Sequence, residues 1–204
     1  MPLFYQHNIN ETAKLAVWHI TEPENFFLEK IHLQKEINHP HKRLQHLAGR
    51  YLLQLLHPEF PLHLIEIAQS NKPLLPVGLF HFSISHCGDF AAAIVSEYES
   101  AGIDVELITP KIDVIKNKFL SGDELRLLPN VSSYFLTLLW SCKEAVYKWY
   151  GKGGVGFKNN IVIKNISAKD DDGLIECLFV KEFEKELNIH FHRFEKLCLA
   201  WVIG

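Results

Sequence analysis

The chain has 204 residues, of which 48% are apolar and 22% are charged, and its formal net charge is −3. This composition is typical of a globular protein with one large domain or two small ones. The small net charge excludes a broad basic field for nucleic acid, and no apolar stretch is long enough for a transmembrane helix. Residues 1–10 lack the basic and apolar segments of a signal peptide, so we expect a cytoplasmic protein without membrane or nucleic-acid partners.

The first half of the chain predicts short strands interrupted by two helices. Glu22-Pro23-Glu24 has the early proline and the acidic residues of a helix start, and Pro40 predicts a second helix that ends before Pro58. The predicted strands cover residues 3–7, 15–20, 62–68, 80–85 and 90–95, with turns at residues 71–73 and 87–89.

The second half predicts a strand, three helices and a final group of strands. The third helix is predicted to begin at Ser132 or Ser133 and to reach Tyr150, because serine is a common N-cap and Gly151 is a natural stop. The first two helices cover residues 112–119 and 123–128. Strands are predicted at residues 101–108, 161–166, 175–183 and 197–203, with residues 190–194 as an extension.

Helices followed by strands therefore occur twice, and no low-complexity linker separates the two series. We predict an α+β protein with an N-terminal half, residues 1–100, and a C-terminal half, residues 101–204. The four cysteines form no CxxC pair, which favours reduced and mostly buried thiols over a zinc site.

Asp104 and Glu106 stand two positions apart on a predicted strand, so their carboxylates point to the same side while Ile103 and Val105 point to the other. Two carboxylates held this close need a cation or water, and hard oxygen ligands at this spacing suit magnesium. The alternative is the exposed face of an edge strand.

Glu144 and Lys148 are four residues apart on the predicted long helix and therefore share one of its faces. The opposite side is predicted to be buried through its apolar residues, which are Phe135, Leu138, Leu139, Cys142, Val146 and Trp149. Taken alone, a Glu-Lys pair at this spacing is also common on ordinary helix surfaces.

Three basic features in the first half indicate anion binding. Ser85-His86 ends a predicted strand, where His86 and the Ser85 hydroxyl could bind an anionic ligand, although a structural histidine is an open alternative. Lys72-Pro73 lies in a turn, where the lysine could contact a nucleotide or water. The stretch from Lys30 to Arg50 is rich in lysine, arginine and histidine and forms either an anion-binding surface or a solvated helix face.

In combination these segments are far more specific than any of them alone. The order is Lys72-Pro73, then a strand ending in Ser85-His86, then Gly-Ile-Asp-Val-Glu at residues 102–106, then Trp-Ser-Cys-Lys-Glu-Ala-Val-Tyr-Lys at residues 140–148. The chain thereby resembles the larger, single-chain type of 4'-phosphopantetheinyl transferase. The segment Phe119-Leu120-Ser121 with Glu124 also resembles the part that this family places between the last two motifs.

The resemblance implies a fold and a reaction. The fold would consist of two similar α/β halves related by a pseudo-twofold axis, with the active site in the cleft between them, and a monomer would suffice to build it. As a holo-acyl-carrier-protein synthase, the enzyme would move the phosphopantetheine arm of coenzyme A onto a serine of an acyl or peptidyl carrier protein, releasing adenosine 3',5'-bisphosphate.

The resemblance also implies roles for the residues of the motifs. Asp104, Glu106 and Glu144 would hold Mg²⁺, with Mn²⁺ as a possible substitute, against the coenzyme pyrophosphate. Glu144 would also help to deprotonate the serine, and Lys148 would stabilise the leaving phosphate. Among the coenzyme contacts, Lys72 and Pro73 would lie against the adenine, and Ser85 and His86 near a phosphate.

Two regions are less closely defined by the resemblance. The 3'-phosphate is expected to meet basic residues of the first half, where Arg50 is favoured and the further candidates are Lys35, Arg43 and His46. The carrier is expected to be acidic and helical and to dock on residues 112–119, where Lys116 and Lys118 would attract it.

Two other classes of protein compete with this interpretation. A serine hydrolase would use Ser85 and His86, but the chain has no Gly-x-Ser-x-Gly elbow, and adjacent residues of a strand point to opposite faces. A non-catalytic binding protein of the same fold would need none of the charged positions of the two main motifs, yet all of them are present.

Overall fold

A computed structural model describes residues 2–32, 36–69, 72–76 and 79–204. The chain forms two compact units, Met1–Ala101 and Gly102–Gly204. Both combine helices with a sheet in which sequence-adjacent strands form antiparallel hairpins, so the protein has the mixed α and β content that was predicted.

The first unit packs two helices on a four-stranded sheet. The antiparallel sheet has the order β1-β2-β6-β5. Its core contains Trp18, Phe27, Leu47 and Phe82, which join the sheet to the helices. The elements of this unit are β1 (Leu3–Asn8), β2 (Ala13–His19), α1 (Glu24–Leu28), α2 (Pro40–Leu56), β3 (Glu66–Ile67), β4 (Pro73–Leu74), β5 (His81–Cys87) and β6 (Phe90–Ser96).

The second unit packs its long helix α5 on a five-stranded sheet of order β7-β11-β10-β9-β8. Leu138, Leu139, Cys142 and Val146 of this helix belong to the buried core, as the helical spacing predicts. The elements are β7 (Ala101–Leu107), α3 (Ile112–Phe119), α4 (Gly122–Leu127), α5 (Ser133–Tyr150), α6 (Phe157–Asn160), β8 (Ile161–Lys169), β9 (Asp172–Val180), β10 (Glu184–Arg193) and β11 (Leu197–Ile203).

Helix ends agree with the capping rules in most places. Gly151 ends α5 in the left-handed conformation at φ 74°, which glycine adopts without a steric penalty. Ser132 is the N-cap of α5, but its side chain makes no capping hydrogen bond. Ser121 and Glu124 instead form a reciprocal capping box at the start of α4, each side chain bonding the other residue's backbone amide.

Two predicted strands were wrong in extent. The region predicted as one strand over residues 62–68 is a 3-10 turn, Leu62–Leu64, followed by the two-residue strand β3. The strand predicted over residues 175–183 ends at Val180, where a turn closed by the Lys181 amide and the Phe183 carbonyl leads into β10. Because β10 begins at Glu184, residues 190–194 are mostly the end of a ten-residue strand rather than an extension of β9.

The thiols agree with the prediction from their spacing. Cys142, Cys177 and Cys198 are buried free thiols, and Cys87 is half-buried. Burial raises the pKa of Cys177 and Cys198 to about 12, so these thiols are protonated and inert at neutral pH.

Within the described ranges, no helix combines the length and apolar character needed to cross a membrane.

Candidate active site

Asp104 is the centre of a polar cluster between β7 and α5. Asp104 is only 2% exposed, and each of its carboxylate oxygens has a partner on the helix. The Ser141 hydroxyl donates to Oδ2 at 2.7 Å, and the Lys148 ammonium donates to Oδ1 at 2.6 Å. Since Ser141 and Lys148 are seven residues apart, two helical turns place both on the side of α5 that faces the strand.

The close approach of β7 to α5 depends on Gly102. A Cβ atom at this position would lie 2.0 Å from the Ala145 carbonyl oxygen and 2.6 Å from the Trp149 amide nitrogen. Only glycine allows the strand backbone to come this near to the helix backbone. The glycine of the Gly-Ile-Asp-Val-Glu motif therefore brings Asp104 within hydrogen-bonding distance of the helix.

Glu144 is the group of this cluster whose ionisation is most strongly altered. Its pKa is raised to about 7, first by burial and then by the negative charges of Asp104 and Glu106, which outweigh the lowering by the Lys148 ammonium. A carboxyl group with a pKa near neutrality can exchange protons under physiological conditions. Asp104, Glu106 and Lys148 all influence the pKa of Glu144, so the strand and the helix that carry the two motifs bring these four charged groups near one another.

The suitability of this cluster for a magnesium ion follows from its donors. Burial and, after it, the negative charges of Asp104 and Glu106 raise the pKa of Glu144, so three carboxylates lie near enough to repel one another. Carboxylate oxygens are the ligands that magnesium prefers. The donor chemistry therefore fits the ion. The charge beside Asp104 in this structure is the Lys148 ammonium, and the residues that the structure describes contain no preformed group of three or more His, Cys, Asp or Glu side chains around a metal position.

The Lys72-Pro73 segment lines a cavity of about 190 Å³ in the first unit. Burial lowers the pKa of Lys72 to about 8, and burial together with the charge of Lys72 lowers the pKa of His81, which lines the same cavity. Pro73 belongs to β4, whereas Asn71 of the predicted turn lies outside the described residues. The cavity combines two basic side chains with apolar walls that include Phe80 and Phe82.

Ser85 and His86 occupy opposite sides of β5. Ser85 is buried and pairs across the sheet with Ala92, whereas His86 is exposed and pairs with Ala91. A nucleophile and its base must share a side and a hydrogen bond, so this arrangement argues against the serine hydrolase. The turn after β5 is held by α2, because Gln45 Nε2 donates to the Gly88 carbonyl at 2.8 Å.

The basic residues of α2 have partners that their sequence does not reveal. Arg43 makes a two-pronged ion pair with Glu24 of α1, at 2.7 Å and 2.8 Å. Arg50 is 8% exposed, its NH1 lies 3.1 Å from His46 Nδ1, and burial lowers its pKa to about 10. Lys35, the remaining candidate for the 3'-phosphate, lies outside the described residues.

Sequence reasoning assigned no role to Ser141 or Lys143, and it gave Glu124 only a family resemblance. The seven-residue spacing from Lys148 could have indicated the part played by Ser141. No such signal exists for Lys143. Lysine is rarely buried, and the residues beside it in the chain do not show which face of the helix it occupies.

Comparison with known proteins agrees with the motifs. Residues 100–202 match the family model of the 4'-phosphopantetheinyl transferase superfamily. The 4'-phosphopantetheinyl transferase psf-1 of Bacillus pumilus is 34% identical over 118 residues, which cover 52% of this chain and 50% of that protein. Enterobactin synthase component D of Salmonella typhi is 34% identical over 113 residues, covering 52% and 47%. The 4'-phosphopantetheinyl transferase AcpT of Escherichia coli O157:H7 is 30% identical over 117 residues, covering 54% and 59%. The chain spans about half the length of the curated relatives it matches.

Proposed function

Because this chain belongs to the 4'-phosphopantetheinyl transferase superfamily, we propose that it transfers 4'-phosphopantetheine from coenzyme A to a serine of an apo carrier protein. The serine oxygen forms a new bond to the phosphorus that carries the pantetheine arm. The bond from that phosphorus to the bridging oxygen breaks, and adenosine 3',5'-bisphosphate leaves. The serine proton passes to a base, and the product is the holo-carrier.

The observation that carries this proposal is the Asp104, Glu144 and Lys148 cluster. It lies within the part of the chain that matches the family, residues 100–202, and it combines a buried carboxylate, an ammonium at 2.6 Å and a carboxyl group with a pKa of about 7. A reaction between a hydroxyl group and a pyrophosphate needs this set of functions, namely a proton acceptor and positive charge for the leaving phosphate.

Each residue of the cluster then has a role in the proposed reaction. Asp104, Glu106 and Glu144 would hold Mg²⁺ or Mn²⁺, which supplies charge neutralisation and polarises the phosphorus when bound. Glu144 accepts the serine proton, directly or through water, and its pKa near neutrality suits that task. Lys148, already oriented by its bond to Asp104, donates a hydrogen bond to the leaving phosphate.

We propose that the first unit supplies the contacts to the nucleotide of coenzyme A. The cavity beside Lys72 and Pro73 has apolar walls and nearby basic groups, which suit an adenine ring that carries phosphates. His86 is exposed at the end of β5 and would contact a phosphate near Ser85, and Arg50 is the candidate for the 3'-phosphate. The pseudo-twofold relation of the two halves, a monomeric state and a cytoplasmic location stay predictions.

The test is to mix the protein with coenzyme A, MgCl₂ and a panel of apo carriers and to measure the intact mass of each carrier. We expect at least one carrier to gain one phosphopantetheine group. Glu144→Gln and Lys148→Ala should abolish most of the transfer, while Glu186→Gln, an exposed substitution on β10, should retain it.

The same mass measurement separates an enzyme from a non-catalytic binding protein of the same fold. If no carrier in the panel gains mass, the transfer proposal is rejected. If Glu144→Gln transfers as fast as the wild-type protein, the assignment of Glu144 as metal ligand and base is wrong, even when transfer itself is observed.

A further inference from the structure

A buried ion pair lies immediately beside the catalytic residues on α5. Lys143 is 0% exposed, and its ammonium lies 2.6 Å from Oε1 of Glu124, which is 1% exposed. The same ammonium reaches three backbone carbonyl oxygens at 2.8–2.9 Å, those of Phe119, Phe157 and Ile161. A single side chain of α5 thereby contacts three separate segments of the chain.

Glu124 is equally well supplied with partners. Its Oε1 accepts a second hydrogen bond from the Ile163 amide at 3.0 Å, and its Oε2 accepts from the Ser121 amide at 2.7 Å. Both charges are therefore compensated and hydrogen-bonded in the interior, which a buried ion pair requires if it is not to destabilise the protein.

The ends of four elements meet at this pair. Phe119 is the last residue of α3, where carbonyls without a helical partner favour a cation, and Glu124 lies in the first turn of α4, where amides without a helical partner favour an anion. Phe157 is the first residue of α6, and Ile161 is the first residue of β8. The end of α3 and the starts of α4, α6 and β8 are thus connected to α5 through one ammonium group.

A buried ion pair is by itself weak evidence that its residues stabilise the fold, because apolar residues of similar volume often stabilise an interior equally well. Its position is more informative. Lys143 directly precedes Glu144, so the two side chains leave the helix about 100° apart, as expected from 3.6 residues per turn. On another side of α5, Gly102 brings β7 against Ala145 and Trp149. Fixing Lys143 therefore fixes the rotation of α5 about its axis, and with it the direction of Glu144.

We propose that the Lys143–Glu124 pair is a positioning device for the transfer reaction, which holds α5 in the rotation that aligns Glu144 and Lys148 with Asp104. This inference rests on the proposed function. Lys143 itself contacts neither substrate nor reacting atoms in this scheme. It acts through the four polar contacts that hold the helix.

The test compares Lys143→Met and Glu124→Gln with Leu187→Ala, which removes a buried leucine of β10 from the same core but makes none of these contacts. All variants are assayed where circular dichroism shows them fully folded. We expect kcat to fall about 10- to 100-fold in the first two, the scale of a small misplacement of catalytic groups. KM for coenzyme A should stay within about twofold, and Leu187→Ala should keep its kcat.

Hydrogen exchange provides a second readout that does not depend on activity. Lys143→Met and Glu124→Gln should speed amide exchange mainly in residues 140–147 and 157–163, whereas Leu187→Ala should speed it mainly in β9 and β10. If Lys143→Met does not fold, Glu124→Gln, which keeps the size of the side chain, carries both measurements.

The proposal is overturned if the pair variants lose no more turnover than Leu187→Ala, or if exchange in residues 140–147 is unchanged. If the wild-type protein modifies no carrier, the proposed function fails separately. The exchange pattern then still decides whether the pair anchors α5, and an unchanged pattern rejects that anchoring.

Discussion

At the scale of single residues, the cluster around Asp104 shows how one strand and one helix change the chemistry of ordinary side chains. Glu144 and Lys148 form a common helix pair by sequence. In the structure, Lys148 turns to Asp104, while burial and two neighbouring carboxylates raise the pKa of Glu144 to about 7. The unusual property belongs to the environment and not to the residue type.

A first prediction concerns the stability of the metal-free protein. The folded-state pKa of Glu144 lies above its ordinary value of 4.5, so ionisation of this group lowers the free energy of unfolding as the pH rises from about 4.5 to about 7. Glu144→Gln removes this effect. We expect its stability relative to the wild-type protein to increase by about 1–2 kcal/mol between pH 5 and pH 8.

Urea unfolding in the presence of a metal chelator measures this difference. Glu186→Gln on the exposed face of β10 is the control and should show no such trend. A Glu144→Gln variant whose relative stability is the same at both pH values would show that the carboxylate is not destabilised in the folded protein.

A second prediction concerns the pair of Lys148 and Asp104, whose side chains are 22% and 3% exposed. Lys148→Met removes the nearest cation of a buried carboxylate, so we expect the free energy of unfolding at pH 7 to fall by about 1–3 kcal/mol. The loss should be smaller in an Asp104→Asn background, where no carboxylate is left to compensate. A double-mutant cycle should give a coupling energy of about 1–2 kcal/mol.

The exposed pair of Lys152 and Glu182 offers a matched cycle. Its atoms are 3.1 Å apart and its side chains are 66% and 56% exposed. The coupling energy there should be much smaller than in the Lys148 and Asp104 cycle, because solvent screens the charges. Equal coupling energies in the two cycles would contradict the argument from burial.

At the scale of elements, two glycines each allow a strand to pack closely against a helix, one in each unit. Gly102 brings β7 against α5, and Gly49 of α2 faces Ile84 of β5, whose Cγ2 would lie 2.6 Å from an added Cβ. The two cases differ in what the Cβ would meet, namely rigid backbone for Gly102 and a side chain for Gly49. Close packing therefore accounts for the glycine before Arg50 as well as for the one before Ile103.

A third prediction follows from this difference. Gly102→Ala should lower the free energy of unfolding by about 2–4 kcal/mol, because the helix backbone cannot move away without disturbing the core. Gly122→Ala is the control, since its Cβ would meet only the end of the Arg126 side chain at 3.7 Å. Thermal and urea unfolding of both variants measure the effect, and equal stabilities would contradict the close approach of β7 to α5.

At the scale of the whole molecule, the proposed reaction requires a second protein. Val114 is 84% exposed on α3, which also carries Lys116 and Lys118, so this helix presents an apolar residue together with positive charge. Lys116 lies 2.8 Å from Asp113, which reduces its share of the attraction, whereas Lys118 has no acidic partner of this kind among the described ion pairs. An acidic helical carrier is the partner that we propose for this surface.

A fourth prediction tests that surface. The double charge reversal Lys116→Glu with Lys118→Glu should raise KM for the carrier about tenfold and leave KM for coenzyme A unchanged, because charge on a rim steers association. Reversal of the exposed Lys164 and Lys169 of β8 is the control. The difference should shrink at high salt, and an unchanged carrier KM would remove α3 from the docking surface.

The sequence alone determined the family resemblance, the order of most elements and the face of α5 that is buried. These features depend on local patterns: apolar spacing, proline and glycine at element ends, and carboxylates two or four residues apart. The limits of β9 and β10 could not be derived in this way, because the turn at residues 181–183 has no glycine, proline or asparagine to mark it.

Only the tertiary structure decided which partner each charged residue meets. Arg43 is neutralised by Glu24 from another helix, Lys148 binds Asp104 across 44 positions, and Lys143 is buried against Glu124 and three carbonyls. These contacts join residues far apart in the chain, and the free energy of burying a charge depends on the whole set of neighbours. The motif at residues 140–148 indicated the family, and packing decided that Lys143 is buried against Glu124 while Lys148 turns to Asp104.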